Sequence, residues 1–344
     1  MGSLSQLCVL ALSLTAPGDD AALERHEASQ LHMGVTFKLV FYAPNQQTAN
    51  AAAQAAFARI AELNQVMSDY DPASELSRLC DTAGSGQAVA ISADLMRVLT
   101  ISQDLARRTD GAFDVTVGPV VRLWRRARRM KAMPSDKRLA EALAATGFRH
   151  LELNAERGAA KLLRPGMQLD LGGIGQGYAA DEAMKVFRRH GISRALVDAS
   201  GDIAVGDPPP GKSGWRIGVA PLDQSNQSPS RYLLLSNMAV STSGDAFQSV
   251  ELGGKRYSHI VDPRTGLGLT DRSSVTVIAP DATTADSLAT AVSVLGPGAG
   301  LKLIEATPGA AALIVRDDGE QKEALQSREW KGFEGLGPVI NPKQ

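Results

Sequence analysis

The chain is predicted to be an α+β protein of mixed α/β character, folded as two closely packed lobes of sheet and helix. Three observations predict this. Residues 34–41 alternate Val35, Phe37, Leu39 and Phe41 with more polar partners, the period of a half-buried strand. An Ala-rich run places Phe57, Ile60, Leu63 and Met67 at three- and four-residue steps, the period of a helix face. Such segments follow one another at irregular spacing with no internal repeat, unlike a regular doubly wound sheet. At 344 residues the length suits about two packed units.

Along the chain, Ser92 reads as the N-cap of a second helix that turns Leu95, Val98, Leu99 and Leu105 inward. Arg107 and Arg108 suit its C-terminal end, and Gly111 follows the stop. Residues 111–124 (GAFDVTVGPVVRLW) lead into Arg125, Arg126, Arg128, Arg129 and Lys131, a basic run read as a solvated helix face or loop. It has no interleaved aromatics, so no nucleic-acid site is expected. A short helix over 136–146, closed by Gly147, leads to a strand near 150–153. A helix stopping at Gly191 buries Ala183, Val186 and Phe187. Strands are expected at 195–198, 203–205, 215–219, 232–235, 257–261 and 275–278. A Pro/Gly connector spans 207–214 and a polar loop 223–230; a late helix covers 285–295 and a last strand 312–315. The divisions expected are 1–30 as a signal-like or disordered N-terminus, 31–320 as the body, and 321–344 as a C-terminal tail.

A hydrophobic fraction of 44% with 21% charged residues is ordinary for a globular chain, and a net charge of −1 supplies no global field toward nucleic acid or membrane. The two cysteines, Cys8 and Cys80, do not argue for a structural disulfide. Residues 7–16 (LCVLALSLTA) have the length of a signal-peptide core, but no Lys or Arg precedes them. Export to a periplasmic or membrane-associated position is the expectation. The run at 7–16 is too short to span a bilayer, and no second hydrophobic stretch is expected to be long enough to do so.

The most informative stretch is 169–181 (LDLGGIGQGYAAD): an apolar strand, glycines at 172, 173 and 175, and a fourth, Gly177, at the mouth of a helix. Free amides and the helix dipole would make an anion cradle there, although the same spacing also serves a purely structural turn. On the late helix Asp286 and Thr290 stand four residues apart on one face and could offer two oxygens to a hard cation. The competing reading is an N-terminal Asp favoured by the dipole and a Thr bonded back to a carbonyl. Residues 257–266 (YSHIVDPRTG) join a strand to a tight turn with His259, either a titrating group or a satisfied core histidine. Residues 241–245 (STSGD) read as a hydroxyl-rich loop, and the turn at Asp71-Pro72 could present the Tyr70 ring for stacking.

Eight blocks in order, MGVTF from Met33, SDYDPASEL, GAFDVTVGPVVRLW, LDLGGIGQGYAADEA, LVDASGDI, AVSTSGD, YSHIVDPRTG and SVTV…ADSLATA, resemble the FAD:protein FMN transferases, the ApbE-like flavin transferase family. The resemblance implies an FAD cleft between the two lobes and Mg²⁺-dependent transfer of the FMN part of FAD onto a Thr or Ser hydroxyl, releasing AMP. The acceptor would be a flavoprotein subunit, for example of a membrane redox complex. It also implies a Mg²⁺ site formed by Asp286, Thr290 and the backbone carbonyl of Ala179. Met33, Tyr70, Ala112, Phe113, Asp114, Gln176, Glu182 and Ile260 match positions that line the FAD site, with His259 and Arg264 in the turn beside it. Asp286 and His259 are the two candidate bases. The chain departs from the family at Gln176, where Lys or Glu is common, at Asp198 and Ser200, in place of Asn and Gly, and at Arg125-Arg126 after Trp124.

Three other readings compete. Water could replace the acceptor and split FAD into FMN and AMP. The chain could be a non-catalytic FAD-binding or delivery protein of a respiratory complex, which the Asp286–Thr290 pair argues against. A Ser-His-Asp hydrolase built on Ser200 or Ser243 with His259 lacks a nucleophile elbow.

Overall fold

Two elements near the N-terminus set the architecture, and the sequence explains both. The computed structural model describes residues 23–219, 222, 229, 231–244, 249–317 and 322–335. The alternating stretch forms β2 (Val35–Ala43), which buries Phe37, Leu39 and Phe41. It pairs with β1 (Glu24–His32) through the two-residue turn Met33-Gly34, whose φ angles of 50° and 77° match the left-handed hairpin type. β1 is largely polar and begins within the stretch expected to be signal-like or disordered; its partner, not its own pattern, holds it extended. The Ala-rich run is α1 (Gln46–Met67), capped by Asn45, whose side chain accepts from the Thr48 amide at 2.8 Å.

The chain continues through α2 (Glu75–Asp81), β3 (Val89–Ala90), α3 (Ala93–Arg108), α4 (Gly118–Met130) and α5 (Asp136–Ala144). Next come β4 (Leu151–Asn154), β5 (Ala159–Leu162), α6 (Gly175–Arg189), β6 (Ala195–Ala199), β7 (Asp202–Val205), β8 (Trp215–Val219), β9 (Arg231–Leu235) and β10 (Met238–Gly244). The remainder is β11 (Ser249–Leu252), β12 (Lys255–Ser258), β13 (Val261–Asp262), β14 (Leu267–Gly268), β15 (Arg272–Ala279), α7 (Ala282–Glu305), β16 (Ala311–Asp317) and β17 (Lys322–Gln326). As expected, Ser92 caps α3, its side chain accepting from the Leu95 amide at 3.2 Å.

Eight strands form one sheet in the order β1-β2-β6-β7-β10-β15-β16-β17, every neighbouring pair antiparallel, which makes the fold a mixed α+β one. A small sheet, β3-β5-β4, stands apart from it. Helix α6 packs against both α1 and α7, and one hydrophobic core runs from α1 and β2 through α6 to α7 and β16.

Several expectations change. Of the two readings of the basic run the helix holds, with its four arginines on α4 and Lys131 as the C-cap. Residues 241–244 are not a loop but the end of β10, a central strand; Asp245 and most of the 223–230 loop lie outside the described residues, as do residues 7–16. β17 continues the sheet into the segment read as a tail. By length and apolarity α7 could cross a membrane, contrary to expectation; instead it packs on α6, β10 and β15, breaking at Gly296 ahead of Pro297.

Candidate active site

The glycine-rich stretch differs from the expected strand, turn and helix. Its leading segment makes a single bridge, Gln168 to Val117, and the chain then turns through residues 171–174 into α6. The glycines of this stretch are not needed for unusual backbone angles. They are needed for close approach. A Cβ on Gly177 would lie 2.2 Å from the carbonyl oxygen of Ala282 and 2.8 Å from Cβ of Asp286; one on Gly173 would lie 2.8 Å from Oγ1 of Thr290. The run therefore lets α7 seat against the start of α6. The amides expected to cradle an anion are partly committed: Gly172 donates to Asp170 at 2.9 Å and Gly177 to Asp286 at 3.1 Å.

Along α7, Asp286, Thr290 and Val294 recur at four-residue steps and so lie near one line on the helix. Asp286 meets Gly177 and Thr290 meets Gly173, both of the glycine-rich stretch, and Val294 packs with Ala112 and Ile260 of two further predicted segments. Three other sequence blocks thus converge on one face of one helix.

Neither structural explanation of the Asp286–Thr290 pair holds. Asp286 does not cap α7. That role belongs to Asp281, which accepts from the Thr284 amide, and to Asp181 of α6, which accepts from the amides of Ala282 and Thr283 at 2.8 Å each. Ser287 and Ser293 bond back to the carbonyls of Thr283 and Ala289, each at 2.8 Å, whereas the Thr290 hydroxyl makes no such bond. Asp286 is 5% exposed and has no cationic partner among the described residues. Burial first, and then the charges of Asp202 and Asp181, push its carboxyl well above the ordinary range.

Asp202 escaped the sequence reading as a site residue. It starts β7, is buried, and accepts from the Ser241 hydroxyl of β10 at 2.5 Å. Burial, with Asp198 adding to it, raises Asp202 to about 6 despite that hydrogen bond. The signal available was the pair of blocks LVDASGDI and AVSTSGD; what the sequence could not show is that β7 and β10 lie side by side. Ser200, in the turn leading to Asp202, sits at φ 62°, where glycine would be unstrained.

The other predicted residues are spread around this face. Ala179 is fully buried inside α6, about 200° around the helix from Gly177. It stands two residues after Gly177, whose amide meets Asp286. Glu182 faces away from α7: it takes 2.8 Å from Arg59 and 2.6 Å from Lys185, within a network in which Arg59 and the Tyr178 hydroxyl also bind Asp94. Asp114 is buried and accepts from the amide and hydroxyl of Thr116 and the amide of Phe148, at 2.7–2.8 Å. Burial nonetheless raises it. It braces the 112–116 turn, and Phe113 enters the main core. Gln176 is half-buried beside Gly177, and Met33 holds the strained corner of the β1–β2 turn. His259 is half-buried in the bend between β12 and β13; Arg264 grips Asp262 through two bonds of 2.9 Å. Tyr70 is 76% exposed. Trp124 ties α4 to the signature turn, its indole donating to the Gly266 carbonyl at 2.7 Å.

A cavity of about 330 Å³ lies beyond Thr290, lined by Asp262, Leu269, Val294 and Arg316 among others. A second, of about 390 Å³, lies across α6, lined by Arg97, Asp181 and Arg188 among others. Neither reaches Asp286.

Residues 33–314 match the model of the ApbE family. The chain is 31% identical over 324 residues to the FAD:protein FMN transferase of Haemophilus influenzae, covering 92% of this chain and 93% of that protein. It is 32% identical over 280 residues to the enzyme of the same name from Escherichia coli K12, covering 78% of each. The flavin transferase ApbE of Vibrio cholerae superposes with a TM-score of 0.82 at 30% identity, covering 90% of this chain and 99% of that one. The ApbE protein of Thermotoga maritima gives 0.80 at 30% identity, covering 91% and 100%.

Proposed function

This chain belongs to the ApbE family and is an enzyme of the FAD:protein FMN transferase type, and from that premise we propose that it carries the FMN part of FAD onto a Thr or Ser hydroxyl of an acceptor flavoprotein, releasing AMP, with Mg²⁺ required. The single observation that carries the proposal is the buried Asp286 carboxylate, one turn from the Thr290 hydroxyl, neither with a cationic or hydroxyl-bonding side-chain partner among the described residues. A buried charge of this kind calls for a cation, and an all-oxygen donor set suits a hard one.

Asp286 and Thr290 would hold the Mg²⁺, with Asp202 supplying negative charge behind them. Bound there, the ion would neutralise charge on the diphosphate. The acceptor oxygen forms a new bond to the phosphorus of the FMN half, the bond from that phosphorus to the AMP oxygen breaks, and the hydroxyl proton passes to a base. With Asp286 holding the cation and accepting the Gly177 amide, the base is assigned to His259 in this reading, with Asp286 as the alternative. Ala112 and Ile260 are buried against Val294 of α7 and would form apolar backing beside the site rather than an open ring platform. An exported or membrane-associated redox subunit fits the N-terminal sequence as the acceptor.

The test is incubation of the protein with FAD, Mg²⁺ and candidate flavoprotein subunits, followed by intact mass. Covalent FMN on the subunit that disappears when Mg²⁺ is omitted supports the proposal. Free FMN and AMP alone, with every acceptor tried, would make the enzyme a diphosphatase.

A further inference from the structure

The basic run on α4 contains one arginine unlike the rest. Arg125 has a side chain only 26% exposed, and its guanidinium bridges two carboxylates from distant segments: Asp69, after α1, and Asp170, ahead of the glycine turn, the latter at 2.8 Å. The two carboxylates are themselves largely buried, at 13% and 10% exposure. The same guanidinium lies over the ring of Tyr70, 4.5 Å from its centroid. On the far side of the bridge, Asp170 accepts the amide of Gly172 at 2.9 Å. Arg122, one turn earlier, reaches the Asp69 carbonyl at 3.4 Å and supports the same loop.

One planar cation thus joins a ring platform to the glycine turn. Tyr70 is held from one face while most of the ring stays exposed, which leaves a surface on which a planar heterocycle can stack. The turn at Gly172 and Gly173 leads directly to Thr290 and Asp286. A flat fork with several donors can serve two carboxylates and a ring face together; an ammonium is a point charge and cannot.

We propose that Arg125 is a positioning residue for FAD: by fixing Tyr70 relative to the Asp170–Gly172 turn, it sets how tightly one planar half of the dinucleotide is held. This rests on the FAD reading above and adds to it a residue that acts through Tyr70 and Asp170 rather than on the reacting atoms. The rest of the run does not share the role: Arg126 and Arg129 are exposed.

The test compares the full chain with R125K, which keeps the charge and so preserves the fold, and with Y70A and the R125K/Y70A pair. FAD affinity is followed by flavin fluorescence, and KM and kcat by flavin transfer. R125K should raise both Kd and KM for FAD about tenfold, the loss of a well-held ring contact, with kcat within about threefold and an unfolding midpoint near that of the parent. The double variant should bind FAD no more weakly than Y70A alone, because the two residues act as one unit. As separate competitors, AMP and FMN should not weaken equally in R125K; the affected one is the half that stacks on Tyr70. Unchanged KM in a folded R125K, additive losses in the double variant, or a fall in kcat alone would overturn the proposal. A parent protein that binds no FAD would instead overturn the functional reading on which it rests.

Discussion

The amide of Gly177 donates to the carboxylate of Asp286 at 3.1 Å, across a helix contact so close that a single methyl group on residue 177 would collide with the Ala282 carbonyl. The glycine and the carboxylate are one device: the first permits the approach that places the second at the start of α6. Replacing Gly177 with Ala should therefore cost about 1–3 kcal/mol from overpacking and abolish flavin transfer. Thermal unfolding and transfer rate check this together, and a variant with parental values of both would contradict the close contact.

Asp286 and Asp202 are raised above the ordinary range, Asp202 to about 6, so the unfolded chain ionises these carboxyls at lower pH than the folded one. Between about pH 4 and 6 the folded state binds more protons, and this cluster's contribution to stability falls as pH rises. In chelator, the melting temperature of D286N should exceed that of the parent at pH 8, and the gap should close toward pH 4. Mg²⁺ should raise the melting temperature of the parent at pH 8 and leave D286N unmoved. Differential scanning fluorimetry across pH tests both, and an equal Mg²⁺ shift in D286N would remove Asp286 from the cation site.

Arg59 sits between Asp94 and Glu182 and gives the opposite pH sign. Burial raises these two carboxyls, but hydrogen bonds outweigh it, from Arg59 and Tyr178 on Asp94 and from Lys185 and Arg59 on Glu182, and both end below their ordinary values. Their stabilisation is present above the unfolded pKa and is lost as pH falls through the lower folded one. R59M should lose about 1–3 kcal/mol at pH 7, and the difference from the parent should shrink toward pH 3. Urea unfolding at the two pH values measures it.

Ser200 adopts φ 62° without the freedom of glycine. Changing it to Gly should stabilise the protein by about 1 kcal/mol, seen as a rise of a few degrees in melting temperature. The FAD affinity of this variant should not fall.

How far the sequence could be read depended on whether a signal was local. The Ser92 cap, the face of α1 and the pairing of Asp286 with Thr290 on one helix side are fixed by residues within a turn or two, and the structure shows each. β1 failed because a polar edge strand carries no periodic signal, and β10 failed because Ser, Thr and Gly disguise a buried central strand. Asp202 and Arg125 were missed for a further reason: their meaning lies in partners 39 and 45 residues away, Ser241 and Asp170. A run of arginines looks solvated until the carboxylates that face one of them are located.

The capping of α7 by Asp181 has a consequence for how the protein comes into being. The first amides of the helix that carries Asp286 are satisfied by a side chain 101 and 102 residues earlier in the chain, on α6. Neither helix presents a finished half of the centre alone. Exchange of the Ala282 and Thr283 amides with solvent should consequently follow opening of the whole domain rather than fraying of a helix end. The seat of Asp286 against Gly177 therefore forms only when the last large helix docks.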